Sequence, residues 1–268
     1  MKTVFITGSS SGIGKAAAVY FAAKGWNVAA TMRSPDKSSF SNQERIRKFR
    51  CDVTDPASVR DAVKEAVAAF GSIDVCVNNA GFSLLGPFET TPQKDITKQY
   101  DTNVFGLMNV IRELLPNFRA GKGGIFVNIA SIGGRTGFPL YSLYNSTKFA
   151  VEGFSESLQH ELRQFNIRVK IIEPGVILTD FYGRSMIHQE KSQYADYDSY
   201  ASKTIAKLET IGTNGIKPEA VAKVIYRAAV SNNWKLRYTV GPDAKLLTAL
   251  RAVLPFPLFR ILLRNAAE

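Results

Sequence analysis

The sequence predicts an α/β fold, a doubly wound parallel sheet with helices on both faces. Three observations carry that reading. Strand-like apolar runs alternate with helix-like stretches along most of the 268 residues, the rhythm of repeated βαβ units. The strand-like runs are apolar throughout rather than at every second position, as expected of strands covered on both sides. The first of them leads into a glycine-rich turn, Gly8-Ser9-Ser10-Ser11-Gly12-Ile13-Gly14, and then a helix.

The elements follow in order. "TVFIT" is a buried strand, and "GKAAAVYFAAKG" a helix that ends at Gly25. The strand "NVAATM" follows, then "IRKFRCDV" after a polar stretch, then a helix from Pro56 to Phe70 that starts at Asp55-Pro56. "IDVCVNNAG" precedes a long helical region from about Pro92 to Phe118. "GGIFVNIAS", a helix from Tyr144 to Gln164, and "IRVKIIEPG" come next. A helix from Pro218 to Val230 and the strand "LRYTVG" complete the sheet. No domain boundary appears, so residues 1–268 read as a single domain. Residues 181–213 break the rhythm and are rich in Tyr, Ser and Lys. They are expected to form a helical lid over the carboxyl edge of the sheet, where ligands bind in such folds. Residues 242–268 read as a C-terminal helical extension, apolar with Lys245, Arg251, Arg260 and Arg264 interspersed and broken at Pro255 and Pro257. Packing on the cleft or on a partner subunit is the favoured reading; a peripheral membrane contact is the less favoured one.

Composition narrows the function. Hydrophobic residues make up 45% and charged residues 21% of the chain, as in globular proteins. The net charge of +11 is scattered along the chain, without a helix-turn-helix, zinc-finger or RNA-binding signature, so no nucleic-acid partner is expected. No apolar run approaches the ~18 residues of a membrane span, and the N-terminus begins with a strand pattern rather than a secretory leader. Cys51 and Cys76 form no C-x-x-C pair and fall in strand-like segments. They read as reduced packing residues of a cytoplasmic protein. His160 and His188 are too far apart for metal-ligand spacing, and no metal is expected.

The glycine-rich turn fits a phosphate, but whose phosphate must be argued. A nucleoside-triphosphate loop needs a glycine where Ser9 stands and a hydroxyl where Ala16 follows Lys15, so that match fails twice. The G-x-G-x-x-G dinucleotide pattern also fails as written, because one more residue separates the first two glycines. The physical requirement is nevertheless met: main-chain N–H groups at a helix start, aided by its dipole, suit a pyrophosphate.

Four further features fall after successive strands. "NNAG" (Asn78 to Gly81) ends the fourth, Asn103 lies in the following helix, and Ser131 ends the fifth. Tyr144 and Lys148 then stand four apart in "YNSTK", which puts them on one face of a helix. Tyr141 has no such partner, because Asn145 stands four residues on. With T-G-x-x-x-G-x-G at Thr7 and P-G-x-[VI]-x-T at Pro174, these motifs resemble the short-chain dehydrogenase/reductases over nearly the whole chain. The likeness is greatest to the hydroxysteroid and retinol dehydrogenase side of that family.

The resemblance implies a Rossmann fold and hydride transfer between a nicotinamide cofactor and a carbonyl or alcohol. Asn103, Ser131, Tyr144 and Lys148 would be catalytic. Tyr144 would exchange the proton, with Lys148 favouring its phenolate, since an ordinary tyrosine pKa of about 10 is too high for ready exchange near neutrality. Ser131 would hold the substrate oxygen, Lys148 would also bind the nicotinamide ribose, and Asn103 would hold a relaying water. Gly8, Ser10, Ser11, Gly12, Ile13 and Gly14 would bind the pyrophosphate. Asp52 and Val53 would meet the adenine, and Asn79, Ala80 and Gly81 the adenosine side. Pro174, Gly175, Ile177 and Thr179 would hold the carboxamide side. At the end of the second strand, where an NAD site places an acid on the ribose, the chain has Met32 and Arg33 and no carboxylate before Asp36. Arg33 offers a charged fork to a 2′-phosphate, so NADP(H) is expected, with Ser10 and Lys15 assisting. Phe82, Leu84, Gly133, Phe138, Tyr141, Val176 and Phe181 are expected to line the substrate pocket. Their apolar character implies a small hydrophobic ketone, aldehyde or alcohol. The competing reading is a non-catalytic NADP(H)-sensing or scaffold protein on the same fold, and a homo-oligomer is left open.

Overall fold

The computed structural model describes residues 1–38, 40, 44–178, 186–188 and 195–267. Its centre is a seven-stranded parallel sheet. The strands are β1 (Thr3–Ile6), β2 (Asn27–Met32), β3 (Ile46–Arg50), β4 (Val75–Asn78), β6 (Gly124–Ile129), β7 (Ile167–Pro174) and β9 (Arg237–Val240), in the order β3-β2-β1-β4-β6-β7-β9. Every pairing in it is parallel.

Successive residues of each strand point to opposite faces, and the two faces bury separate cores. Val4 and Ile6 of β1, with Val75 and Val77 of β4, pack under helices α1 (Gly12–Ala23) and α7 (Pro218–Val230). Phe5, Cys76 and Phe126 face the other way, into α2 (Pro56–Phe70), α4 (Gly106–Ala120) and α5 (Ser142–Leu162). Both cysteines are free and buried in this second core. Burial pushes the Cys51 thiol up to about 12, so it packs as an inert hydrophobe.

The expected strands and helices are present, with ends displaced by a few residues. Two features departed from expectation, the first in a helix and the second in a short extra sheet. The region read as one long helix is α3 (Gln93–Tyr100), a π-helical turn at Asp101–Phe105, and then α4. A three-residue strand, β5 (Ser83–Leu85), pairs with β8 (Met186–His188) in a second small sheet; so short a run carries no readable periodicity. The expected lid supplies β8 and then α6 (Asp198–Gly212), and the C-terminal extension is the helix pair α8 (Pro242–Val253) and α9 (Phe256–Ala267).

Strand order reverses between β1 and β4. The first connection leads from β1 to its neighbour β2, and later strands add on the β4 side. The crevice between the carboxyl ends of these two strands is the ligand position that this topology dictates.

Candidate active site

The turn after β1 and the end of β4 are locked together by two side chains that bond main-chain groups across the gap. Thr7 Oγ1 accepts hydrogen bonds from the N–H groups of Asn79 and Ala80, each at 3.0 Å. Asn79 Nδ2 donates to the carbonyls of Thr7 (2.9 Å) and Gly8 (3.0 Å). Gly8 has φ +65°, and a Cβ there would lie 2.9 Å from Ala80 Cα. A Cβ on Gly14 would run into the Gly8 carbonyl and Asn79 Nδ2. Only glycine closes the loop this tightly. Ser9 ties the loop to β2, with its N–H donating to the Thr31 carbonyl at 3.0 Å.

This cradle suits an anion. Ser11 caps α1 with extended backbone, its side chain makes no capping hydrogen bond, and the first turn holds no acidic residue. The main-chain donors of that turn and the helix dipole remain for a pyrophosphate. Met32 is buried at the end of β2, and Arg33, next in sequence, is exposed. Asp52 is half-buried, with Oδ1 accepting from both the N–H and the hydroxyl of Thr54. Val53 spends its side chain on α4, where a Cβ on Gly106 would lie 2.6 Å from Val53 Cγ2.

Two of the four catalytic candidates, Ser131 and Tyr144, flank Gly133. A Cβ on Gly133 would lie 3.4 Å from Ser131 Oγ, 3.5 Å from the Tyr144 ring and 2.6 Å from Asn145 Oδ1. Ser131 Oγ accepts from the Gly133 N–H at 3.0 Å, which leaves its own O–H to donate. Lys148 Nζ is buried beneath the Tyr144 ring, 5.7 Å from its centroid, and donates to the Ile129 carbonyl at 2.8 Å. A Cβ on Gly81 would lie 3.9 Å from the same Nζ, so the "NNAG" turn and the lysine face each other. Burial holds Lys148 down at about 8, and the nearby Glu152 carboxylate opposes that shift.

Asn103 sits in the π turn and is 2% exposed. Its Oδ1 accepts from the Phe82 N–H (3.0 Å), and its Nδ2 donates to the Phe82 carbonyl (2.8 Å) and Thr147 Oγ1 (3.1 Å). The side chain is thereby committed to clamping "NNAG" onto α5. A water held here would use the main-chain carbonyl of the widened turn, a geometry that recurs at functional sites.

The loop from Pro174 to Leu178 leaves the carboxyl end of β7. Gly175 donates to the Val240 carbonyl, and Ile216 bridges Val176 and Leu178. The peptide groups of Ile177 therefore point away from Ile216. Tyr141, Tyr144, Phe138 and Leu85 form one apolar cluster with Ile205 and Leu208 of α6. Leu85 rather than Leu84 joins that cluster, because neighbours on a strand face opposite ways; Leu84 is buried. Phe82 is half-buried with the Lys98 ammonium 5.8 Å from its ring centroid. Thr179 and Phe181 lie outside the described residues.

Two contributors were missed from sequence. Asp243, in the first turn of α8, accepts from the Val176 N–H through Oδ2 at 2.7 Å, and a Cβ on Gly175 would strike the same carboxylate. Nothing in "GPDAK" marks so distant a contact. Glu152 extends the Tyr144–Lys148 spacing by one more turn, a signal that was legible. It is buried, accepts from Arg237 Nε at 2.9 Å, and shares that arginine with Glu173. Burial first, and Glu173 second, push its carboxyl up to about 7. Arg135 and Thr239 hold Glu173 at 2.9 and 2.7 Å.

Comparison with known proteins is consistent with this geometry. A family model described as short chain dehydrogenase matches residues 2–190. A 3-ketodihydrosphingosine reductase of Bacteroides thetaiotaomicron is 35% identical over 246 residues, covering 92% of this chain and 90% of its own. An NADPH-dependent 3-dehydrocapnine reductase of Ornithobacterium rhinotracheale is 31% identical over 264 residues, covering 95% and 93%. Among solved structures, ElxO with NADP bound matches with a TM-score of 0.75 at 29% identity, covering 91% of this chain and 99% of that one.

Proposed function

The chain belongs to the short-chain dehydrogenase family of oxidoreductases, and on that premise we propose that it is an NADP(H)-dependent reductase of apolar ketones. The observation that carries this is the convergence at Gly133, with Ser131 Oγ and the Tyr144 ring both within 3.5 Å of one point. The same Tyr144 ring has the buried Lys148 ammonium 5.7 Å from its centroid and belongs to an apolar cluster with Leu85, Phe138 and Tyr141.

The residues present fit the cofactor. The glycine cradle and the unopposed first turn of α1 would hold the pyrophosphate, Lys148 the nicotinamide ribose, and the Ile177 peptide groups the carboxamide. Arg33, with no acid before Asp36, supports NADP(H) over NAD(H), as do the bound NADP of ElxO and the NADPH dependence in the name of the dehydrocapnine reductase. When bound, the reduced nicotinamide supplies the hydride that reaches the carbonyl carbon. Ser131 Oγ donates to the carbonyl oxygen and orients it. Tyr144 Oη gives its proton to that same oxygen as negative charge develops on it. The Lys148 ammonium offsets the phenolate left behind, and its burial strengthens that attraction. The lid residues Ile205 and Leu208 exclude water from the pocket. Read in reverse, the same groups oxidise an alcohol.

A pocket walled by Leu85, Phe138 and Tyr141 supports an apolar substrate, and the substrates in the names of the two relatives support a ketone. The test is NADPH oxidation against ketones graded from short to long chain. Rates that rise with chain length bear the reading out. A preference for small, charged carbonyls overturns the substrate class, and equal use of NADH and NADPH overturns the cofactor.

A further inference from the structure

The C-terminal helices carry an apolar face that nothing in the described chain covers. On α9, Phe259 is buried and Leu263 half-buried where the helix meets α6 and α8. Leu258, Ile261 and Leu262 lie on the opposite side, each about half exposed. On α8, Ala244 is buried, whereas Leu246 and Val253 are 60% and 80% exposed, seven residues apart on one stripe. Six of the fifteen exposed large hydrophobic residues among the described residues fall between Leu246 and Leu262. Scattered singly such residues mean little; gathered on one face they mark a contact surface.

The charges around this face say what it contacts. From Lys245 to Arg264 the chain has four cations and no Asp or Glu. Arg251 lies over the rings of Phe256 (4.5 Å) and Phe259 (5.4 Å), and Arg260 over Phe256 (5.9 Å). Arg260 is exposed and Arg251 half-buried, and both guanidiniums lie against aromatic rings of this apolar segment, as amphipathic side chains at an interface do. A second copy of the chain would bring this all-positive rim against itself in a symmetric contact, which is repulsive. An anionic lipid surface satisfies both the apolar face and the rim.

We propose that α8 and α9 form a docking surface for an anionic bilayer. The surface adjoins the substrate side of the site. α9 packs on α6, whose Ile205 and Leu208 lie over Tyr141 and Tyr144, and α8 begins at the Asp243 that holds Val176. The docking does not depend on the proposed reaction, and its test needs no turnover.

The full chain is sedimented with vesicles of phosphatidylcholine alone and with vesicles in which about a third is phosphatidylglycerol. The parent binds the anionic vesicles at least about tenfold more tightly, with less binding at high salt. Leu258→Glu with Ile261→Glu lowers that binding at least about tenfold, and Arg251→Gln with Arg260→Gln removes most of the anionic preference. NADP(H) affinity and the far-ultraviolet spectrum stay at parental values, showing that the variants fold. The proposal is overturned if the parent stays in the supernatant with anionic vesicles, or if both variants bind as the parent does. A Leu258→Glu, Ile261→Glu chain whose solution mass falls relative to the parent also overturns it, because the face is then a contact between copies.

Discussion

Around Gly8, Gly14 and Asn79 the crevice wall is main chain; around Tyr141, Ile205 and Leu208 it is apolar side chain. The first wall tolerates almost no substitution. A single methyl on Gly14 meets a carbonyl and an amide, and Thr7 Oγ1 serves two peptide N–H groups at once. The second wall is held by packing, which many side chains of similar volume satisfy. On the function proposed above, the first side would meet the constant ligand and the second the variable one. Tyr144, Lys148 and Ser131 stand where the two meet.

The sharpest way to break this division is at the seam. Tyr144→Phe keeps the ring and removes the proton, so kcat is expected to fall by about 10²- to 10⁴-fold. Cofactor affinity, measured by fluorescence titration, should stay within about threefold. Turnover close to parental would take the proton away from Tyr144. The matched control, Tyr141→Phe, lies wholly on the apolar wall and should alter substrate KM rather than kcat.

On the main-chain wall, Arg33→Ala should cost about tenfold to over a hundredfold in kcat/KM for NADPH, the worth of a charge-assisted hydrogen bond, with little change for NADH. Met32→Asp adds repulsion and could be read as a reversal of preference. Equal losses with both cofactors would show that Arg33 serves the fold rather than the 2′-phosphate.

Removing residues from Pro255 onward should move substrate KM by several-fold while cofactor affinity holds, because α9 packs on α6 and α8. A change in cofactor affinity of the same size would mean that the two walls are not independent.

The smallest effect is in the pH profile. Lys148 at about 8 loses its charge as pH rises through that value, so the reduction rate should fall on the alkaline side. The Glu152 carboxylate favours the ammonium. Glu152→Gln should move the alkaline limb to lower pH by a fraction of a unit, in kcat profiles taken at fixed salt. A limb that moves upward would exclude electrostatic coupling between Glu152 and the lysine.

The same division explains what could be read without coordinates. The seven sheet strands and the glycine cradle were legible, because a main-chain wall demands glycine, threonine and asparagine at fixed spacings. The Tyr144–Lys148 pair was legible because one helical turn brings i and i+4 together. Leu85 could not be told from Leu84, since a three-residue strand gives no phase. Asp243 was invisible because its contact with Val176 joins residues 67 apart through a loop and a helix end that carry no pattern. The π turn at Asp101–Phe105 was hidden for another reason: one extra residue in a helix leaves the apolar periodicity on either side intact.

Lys148 has a cost that falls on the whole fold. Its ordinary value of 10.5 drops to about 8 because burial disfavours the ammonium, so at neutral pH the charged lysine destabilises the native chain by roughly 3 kcal/mol. The penalty is full below about pH 8 and fades as pH rises from there toward 10.5, where the folded chain holds fewer protons than the unfolded one. For a protein whose total stability is of order 10 kcal/mol, that is a large fraction carried by one buried side chain. If the cradle holds a dinucleotide as proposed, the ligand offsets that penalty by mass action, and adding NADP(H) should raise the melting temperature and slow proteolysis of the purified chain.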